Sequence, residues 1–212
     1  MGCCMPEEHK KAVVKMLANS QIPLIEDDLY GDVFFGHSRP KPCKAFDEGG
    51  GVLWCGSVSK TLAPGYRVGW IAPGQFKQAV ISRKQIHMIS TPPLNQMAIA
   101  NFMENNRYEN HLQKLRRELH ANSLRFVQAV MDYFPEETKI IHPQGGFMLW
   151  VELDKKINTN KLYYQAMQQK ISIAPGRMFT LQDQFNNCMR LSYGQRWTPG
   201  IEERLMTLGS LI

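Results

Sequence analysis

Three short apolar runs in the first third of the chain predict β-strands. They are Ile22–Ile25, Gly51–Trp54 and Arg67–Ala72, and the last is closed by the turn pair Pro73-Gly74. Each run is rich in β-branched or aromatic residues, is too short for a stable helix and is bounded by turn-forming residues. The pattern therefore predicts three strands, of which Gly51–Trp54 is expected to be buried.

Amphipathic stretches around these runs predict helices. Pro6-Glu7-Glu8 predicts a helix start, because proline suits the first turn and acidic side chains suit the positive end of the helix dipole. Apolar residues at helical spacing predict further helices at Gln75–Met88, Leu94–Met103 and Tyr108–Phe134. The side chains predicted to form the apolar faces are Val13, Val14, Met16, Leu17, Phe76, Ala79, Val80, Ile86, Leu112, Leu115, Leu119, Leu124, Val127, Val130 and Met131.

The last third of the chain predicts a small α+β layer. Strands are predicted at Lys139–His142, Phe147–Glu152, Ile171–Gly176 (strand and turn) and Met189–Tyr193, and helices at Thr159–Lys170 and after Thr198. In the second strand, Phe147, Leu149 and Val151 are predicted to alternate with Met148, Trp150 and Glu152. The Asn158-Thr159-Asn160 cluster and Thr198 have the residue types that cap helix N-termini.

The loop between the second and third strands carries the residues best suited to chemistry. Ser57, Ser59 and Arg67 offer hydroxyl and guanidinium donors for a phosphate group, and Lys60 offers an amine that could form a Schiff base. Two other readings are an ordinary exposed loop lysine and the Ser-x-x-Lys motif of penicillin-binding proteins, with Ser57 as nucleophile. The second lacks its Ser-Asp-Asn and Lys-Thr-Gly partners, and Pro64-Gly65 would break the helix that it requires.

An acidic segment, Glu26-Asp27-Asp28-Leu29-Tyr30, follows the first predicted strand. Three carboxylates at a strand end are costly unless a cation interacts with them. A metal site and a solvated acidic turn are two interpretations of this segment.

Composition indicates a soluble globular protein. The 212 residues are 43% hydrophobic and 21% charged, with a net charge of +6 that permits anionic ligands without requiring nucleic acid. The five cysteines have no metal-ligand spacing, which favours free thiols in the cytoplasm. No apolar run is long enough to span a membrane. The start Met1-Gly2-Cys3-Cys4 suggests lipidation, but the motif requires Ser or Thr where Pro6 stands.

The basic face of the long predicted helix, Lys114 to Arg125, could bind DNA. No helix-turn-helix precedes it in this sequence, so we expect a solvated face and no DNA contact from this chain.

Residues Ser57–Trp70 resemble the lysine loop of class I aminotransferases, the fold-type I enzymes that use pyridoxal phosphate (PLP). The closest resemblance is to the aminotransferase-like domain of GntR/MocR-type transcription regulators. Ile25–Asp32, Gly145–Trp150 and Cys188–Tyr193 match the same family, in family order. The resemblance implies an α/β fold. Residues 1–107 would form part of the three-layer α/β/α large domain, and residues 108–212 would form a connecting helix and a small α+β C-terminal domain.

The resemblance also implies a role for each site residue. Lys60 would form the Schiff base with PLP and carry protons, Asp27 would accept the pyridine N–H, and Tyr30 would hydrogen-bond the phenolic oxygen. Ser57, Ser59 and Arg67 would bind the phosphate. Arg190 would clamp the substrate's α-carboxylate, the alternative being a strand arginine paired with an acid. No metal is expected.

Three functional classes follow from this resemblance. The first is a dimeric transaminase that moves an amino group between an amino acid and a 2-oxo acid. The second is a PLP- and amine-sensing effector domain of a transcription regulator, and the third is a cofactor-free structural remnant. The family's N-terminal half, with its glycine-rich phosphate loop, ring-stacking aromatic residue and pyridoxal-contacting asparagine, has no match here. We expect that half to fall before Met1.

Overall fold

A computed structural model of the chain describes residues 2–212 and forms two compact units. Cys4–Leu115 forms the first unit, and Arg116–Ile212, with the described residues before Cys4, forms the second. Met1, where the possible lipidation motif and the first predicted domain begin, lies outside the described residues. The domain boundary between residues 107 and 108 stays a prediction.

The first unit is a three-stranded mixed sheet with helices. Its elements are α1 (Glu7–Asn19), β1 (Leu24–Asp27), β2 (Val52–Ser57), β3 (Gly69–Ala72), α2 (Lys77–His87), α3 (Pro93–Met103) and the start of α4 (Arg107–Tyr133). The strand order is β1-β2-β3, with β1 parallel and β3 antiparallel to β2. Val14 of α1, Val52 of β2 and Cys43 form a buried cluster against which Leu24 packs.

Two strands of this sheet begin later than predicted, for backbone reasons. The predicted strand at Ile22 starts at Leu24, whose N–H donates to Gly51 O (3.0 Å), because Pro23 has no N–H to contribute to a ladder. The strand predicted from Arg67 starts at Gly69. Arg67 itself adopts a left-handed conformation (φ 53°), which no strand residue can have.

The second unit contains a four-stranded antiparallel sheet with helices. Its elements are the rest of α4, β4 (Lys139–Ile141), β5 (Met148–Glu152), α5 (Thr159–Gln168), β6 (Ala174–Pro175), β7 (Cys188–Ser192) and α6 (Pro199–Ser210). The strand order is β4-β5-β7-β6. The strand predicted at Ile171–Gly176 is thus only two residues long. The residues predicted to alternate along β5 do not alternate in burial, because Leu149, Trp150 and Val151 are all buried and both faces of the strand are therefore covered.

The helix N-termini of this unit differ in how they are capped. Asn158 caps α5 as predicted, since its Oδ1 accepts the N–H groups of Asn160 (3.0 Å) and Lys161 (3.2 Å). Thr198 occupies the N-cap position of α6, but its side chain makes no cap hydrogen bond.

Several apolar side chains predicted to be buried are exposed instead. Met16 is 58% exposed, and Leu124 and Met131 of α4 are 57% and 67% exposed. Leu124 and Met131 lie about 140° around the helix from the buried Leu119 and Phe126, so one packed face cannot include both pairs.

Helix α2 buries none of its residues, although it carries apolar residues at helical spacing. Exposed apolar side chains continue from α2 into α3, and they are Ile81, Ile86, Met88, Ile89, Leu94 and Met97. Among the described residues, no helix has both the length and the apolar character that a membrane crossing requires.

Candidate functional site

The sheet topology of the first unit collects predicted site residues at one edge. Strands β1 and β2 are parallel, so their final residues, Asp27 and Ser57, lie at the same end of the sheet, which is called the sheet edge below. Strand β3 is antiparallel and begins there, with Gly69 opposite Ser57. Arg67, two residues before Gly69, therefore also lies at this edge, which is where α/β folds place ligands.

Ser57 and Ser59 form a hydroxyl pair at the end of β2. Ser57 Oγ donates to Val68 O (2.8 Å), lies 2.9 Å from Ser59 Oγ and accepts the Ser59 N–H (3.0 Å). Because a carbonyl can only accept, the single Ser57 proton is committed to Val68. The hydrogen bond between the two hydroxyls therefore uses the proton of Ser59.

Lys60 lies in a tight turn that the preceding residue holds. The carbonyl of the fully buried Val58 accepts the N–H groups of Thr61 (3.3 Å), Leu62 (2.9 Å) and Ala63 (3.1 Å). The Lys60 side chain is exposed, and its Nζ lies 5.6 Å from the centre of the Tyr30 ring. This distance is within cation–π range, so the structure brings these two predicted site residues together.

The three carboxylates of the acidic segment have different partners. Glu26 accepts the N–H groups of Cys43 (2.6 Å) and Lys44 (2.9 Å). Asp28 Oδ2 accepts from Arg39 (2.6 Å) and from the Trp54 indole (2.7 Å).

Asp27 is the carboxylate left at the sheet edge. It is exposed, and its Oδ1 accepts the Leu29 N–H (3.2 Å). It stands opposite Cys55 in the ladder. Burial and then the Asp27 charge raise the pKa of the Cys55 thiol. No group of three or more His, Cys, Asp or Glu side chains is arranged to bind a metal in the part of the chain that the structure describes.

Arg39 is a residue of this region that sequence reasoning missed. Its Nε donates to Asp32 (2.7 Å) while its terminal nitrogen binds Asp28. Burial lowers the pKa of Arg39, but the hydrogen bonds to Asp32 and Asp28 outweigh it, so the pKa is raised overall. The acidic segment thus has a cation partner, supplied by a loop rich in Pro, Lys and Arg, but no local pattern indicated which of its cations pairs with the acids.

Arg67 is exposed, and its guanidinium forms no ion pair with a carboxylate among residues 2–212. It lines a groove of about 730 Å³, together with Trp70, Lys84 and other residues of β3, α2 and α3. Lys60, Ser57 and Asp27 do not line that groove. We therefore locate the candidate site at the sheet edge that carries the lysine loop, and not in the groove.

Arg190 belongs to the second unit. It is half-buried on β7, and its Cζ lies 4.4 Å from the centre of the Phe179 ring, which packs edge-on against Trp150 (5.8 Å). The alternative of an acid-paired strand arginine has no support, since no described carboxylate forms an ion pair with it.

Helix α4 contributes a second feature that sequence reasoning missed. Tyr108 OH lies 2.7 Å from Thr61 Oγ1, and His111 Nε2 lies 2.7 Å from Thr61 O. Both contacts reach the residue next to Lys60 from about fifty positions away in the sequence, a separation at which no local pattern could have indicated them.

The sequence model of the family described as "Aminotransferase class I and II" matches residues 1–199. A curated relative, the "Uncharacterized HTH-type transcriptional regulator YdcR" of Escherichia coli K12, is 35% identical over 100% of this chain and 45% of its own length. The "2-aminoadipate transaminase" of Thermus thermophilus is 30% identical over 98% of this chain and 53% of its own length.

A solved aminotransferase structure is also similar to this chain over about half of its own length. Kynurenine aminotransferase of Pyrococcus horikoshii, crystallised with PMP, superposes with a TM-score of 0.89 at 26% identity, over 99% of this chain and 52% of that one. The chain thus spans about half the length of the curated relatives that it matches.

Proposed function

Because the chain belongs to the class I and II aminotransferase family, we propose that its first unit holds PLP and that Lys60 bonds the cofactor. The predicted fold class, part of a fold-type I aminotransferase, is confirmed by the superposition over half of a solved aminotransferase. The observation that carries the functional proposal is the position of Lys60 Nζ over the Tyr30 ring, on the turn that follows the hydroxyl pair at the end of β2.

The donor set at the sheet edge fits a phosphate group. Arg67 brings a planar guanidinium that pairs with no described carboxylate, and guanidinium suits bidentate contact with phosphate oxygens. Ser59 can turn its proton to a phosphate oxygen, whereas Ser57 would have to release Val68. We therefore propose that Arg67, Ser59 and Ser57 bind the phosphate, with Ser57 exchanging its hydrogen bond to Val68 O for one to a phosphate oxygen.

Asp27 and Tyr30 would bind the ring of the cofactor. An exposed carboxylate at the end of β1 is suited to accept the pyridine N–H, and the Tyr30 hydroxyl is suited to donate to the phenolic oxygen. PLP supplies an electron sink for the charge that develops when a substrate carbon loses its proton. Lys60 is the amine available to take up and return that proton.

Arg190 would bind the carboxylate of an amino acid or a 2-oxo acid. Its guanidinium rests on the Phe179 ring, which restricts its motion and leaves its N–H donors for a ligand. The proposed reaction is amino-group transfer between these two substrate classes.

A PLP- and amine-sensing effector domain is the second candidate. It is favoured by the 35% identity to an HTH-type regulator, compared with 30% to a transaminase. The two candidates differ in turnover, since a transaminase releases many equivalents of product and a sensor binds without releasing any.

The assembly and compartment are part of the proposal. The homodimer is supported by the exposed apolar side chains on either side of the Pro92-Pro93 break, Ile89 (102% exposed) and Leu94 (76%). The cytoplasm is supported by the five cysteines, which are all free thiols.

Reductive labelling tests the proposal. The chain is mixed with PLP, reduced with borohydride and mapped by mass spectrometry. We expect the adduct on Lys60, with the exposed Lys15 of α1 as an internal reference for non-specific labelling. Adducts spread equally over the exposed lysines would contradict the assignment and favour the cofactor-free remnant.

A phosphate-free analogue separates the roles of the donors. Arg67→Leu should slow labelling by PLP but leave labelling by pyridoxal unchanged, because only PLP carries the phosphate. Arg190→Leu should leave the labelling rates with PLP and with pyridoxal unchanged. It should weaken the binding of an amino acid to the PLP-loaded protein before reduction. If Arg67→Leu slowed labelling by PLP and by pyridoxal equally, Arg67 would not be a phosphate donor.

A further inference from the structure

The residue after Lys60 is held from two sides by helix α4. Thr61 is only 3% exposed, its hydroxyl pairs with Tyr108 OH (2.7 Å), and its carbonyl lies 2.7 Å from His111 Nε2. All three residues belong to the first unit. Thr61 therefore has both its side chain and its backbone oxygen bound to α4.

The tautomer of His111 follows from its partner. A carbonyl oxygen offers no proton, so Nε2 must carry the hydrogen and donate it to Thr61 O. The ring is supported on another side by Phe102 of α3, which packs against it at a centroid distance of 6.1 Å and an angle of 77°. The donor is therefore held in a packed ring and not on a mobile side chain.

The contacts from α4 add to the hydrogen bonds that already fix the backbone of the turn Val58–Ala63, which contains Lys60. The Val58 carbonyl holds the turn from within, because it accepts three N–H groups of the turn. No backbone N–H of the turn donates to the Thr61 carbonyl. His111 supplies that donor from a different element. An amine that must reach one position beside Tyr30 gains from a fixed backbone, because reactions between groups depend steeply on their relative placement.

We infer that Tyr108 and His111 are positioning residues for Lys60, acting through Thr61. They hold the backbone from which the lysine emerges, and so set the fraction of time that Nζ spends beside Tyr30. The functional part of this inference rests on the proposed role of Lys60, whereas the structural part concerns only the turn.

The test compares variants that remove one bond each and keep the packing. Tyr108→Phe and Thr61→Val each delete a hydroxyl with little change of shape, and His111→Leu deletes the ring donor. His111→Gln is the rescue variant, since its amide can reach the same carbonyl. His120→Leu, an identical change at an exposed histidine later on α4, is the matched control.

Two measurements are made on each variant. Hydrogen exchange reports the protection of the Thr61, Leu62 and Ala63 amides relative to β2 in the same molecule. Borohydride trapping with PLP reports the labelling rate of Lys60. For Tyr108→Phe and His111→Leu we expect faster local exchange and a labelling rate lower by about fivefold, the effect of losing one hydrogen bond. His111→Gln and His120→Leu should stay close to the parent chain.

The outcomes separate this inference from the proposed function. Folded variants with unchanged amide protection and unchanged Lys60 labelling would overturn it. Uniform loss of protection across β2 and the turn would also overturn it, because it would mean that α4 only stabilises the unit. If the parent chain is not labelled at Lys60, the proposed function fails, and hydrogen exchange still decides whether α4 holds the turn.

Discussion

Asp47 connects the loop before β2 to the strand itself, and Asp47→Asn should destabilise the first unit. The Asp47 side chain is 4% exposed and accepts from Gly51 N (2.9 Å), Val52 N (2.9 Å) and Lys44 Nζ (2.8 Å). Asparagine keeps one acceptor oxygen and turns an NH₂ group toward at least one of these donors. Losing one charge-assisted bond and leaving a donor unpaired should cost about 2–4 kcal/mol of unfolding free energy.

The pH dependence of the unfolding free energy tests independently whether the ionised Asp47 side chain stabilises the fold. Burial by itself would raise the pKa of Asp47, but hydrogen bonds from Lys44, Val52 and Gly51 lower it below the ordinary carboxyl value. Because the pKa is lower in the folded protein, the ionised Asp47 stabilises the fold, and this contribution is fully present above the unfolded pKa of about 3.9. It is lost as the pH falls through the folded-state pKa. The difference between parent and Asp47→Asn should therefore shrink in that acid range.

Urea denaturation at several pH values measures both effects. Glu48→Gln is the matched control, because it makes the equivalent change at the adjacent, exposed acid. A cost for Asp47→Asn no larger than that of Glu48→Gln would refute the reasoning. So would a difference that grows with acidification.

The remaining predictions concern packing, capping and the exposed apolar surface. Leu149→Ala, at a fully buried position of β5, should cost about 2–5 kcal/mol in urea denaturation, and a loss below 1 kcal/mol would mean that the site is not packed as described. Asn158→Ala should cost about 1 kcal/mol, whereas Thr198→Ala, whose side chain makes no cap bond, should cost less than about 0.5, and equal costs would contradict the difference in capping. Ile86→Ser with Ile89→Ser (75% and 102% exposed in the single chain) should weaken the proposed homodimer and shift the protein toward monomer in size-exclusion chromatography, and an unchanged oligomeric state would contradict the dimer surface proposed at Ile89.

Local patterns predicted the elements and their order well, because they depend on residues close in the sequence. The helix starting near Pro6 appears as Glu7–Asn19, and the long amphipathic stretch from Tyr108 appears as Arg107–Tyr133. The N-cap at Asn158 is likewise a contact within three residues. Errors occur where the backbone departs from the pattern, as at Arg67, whose left-handed conformation delays β3.

Burial was predicted less well, because it depends on what lies opposite each face. Leu149 and Val151 were expected to alternate with Trp150 along β5, but all three are buried, because both faces of the strand are covered. Leu124 and Met131 have the spacing of a packed face and are nevertheless exposed. Spacing identifies the residues that share a side of a helix, and only the neighbouring elements determine which side is covered.

The sequence by itself determined the family, through motifs of consecutive residues such as Ser57–Trp70, and the set of chemical groups at the candidate site. The tertiary structure decided how those groups are held. It paired Asp28 with Arg39, committed the Ser57 proton to Val68 and bound Thr61 to Tyr108 and His111. The physical reason is that hydrogen bonds and ion pairs act over a few ångströms in space. Residues 11 to 50 positions apart, as these are, become partners only when the fold brings them together.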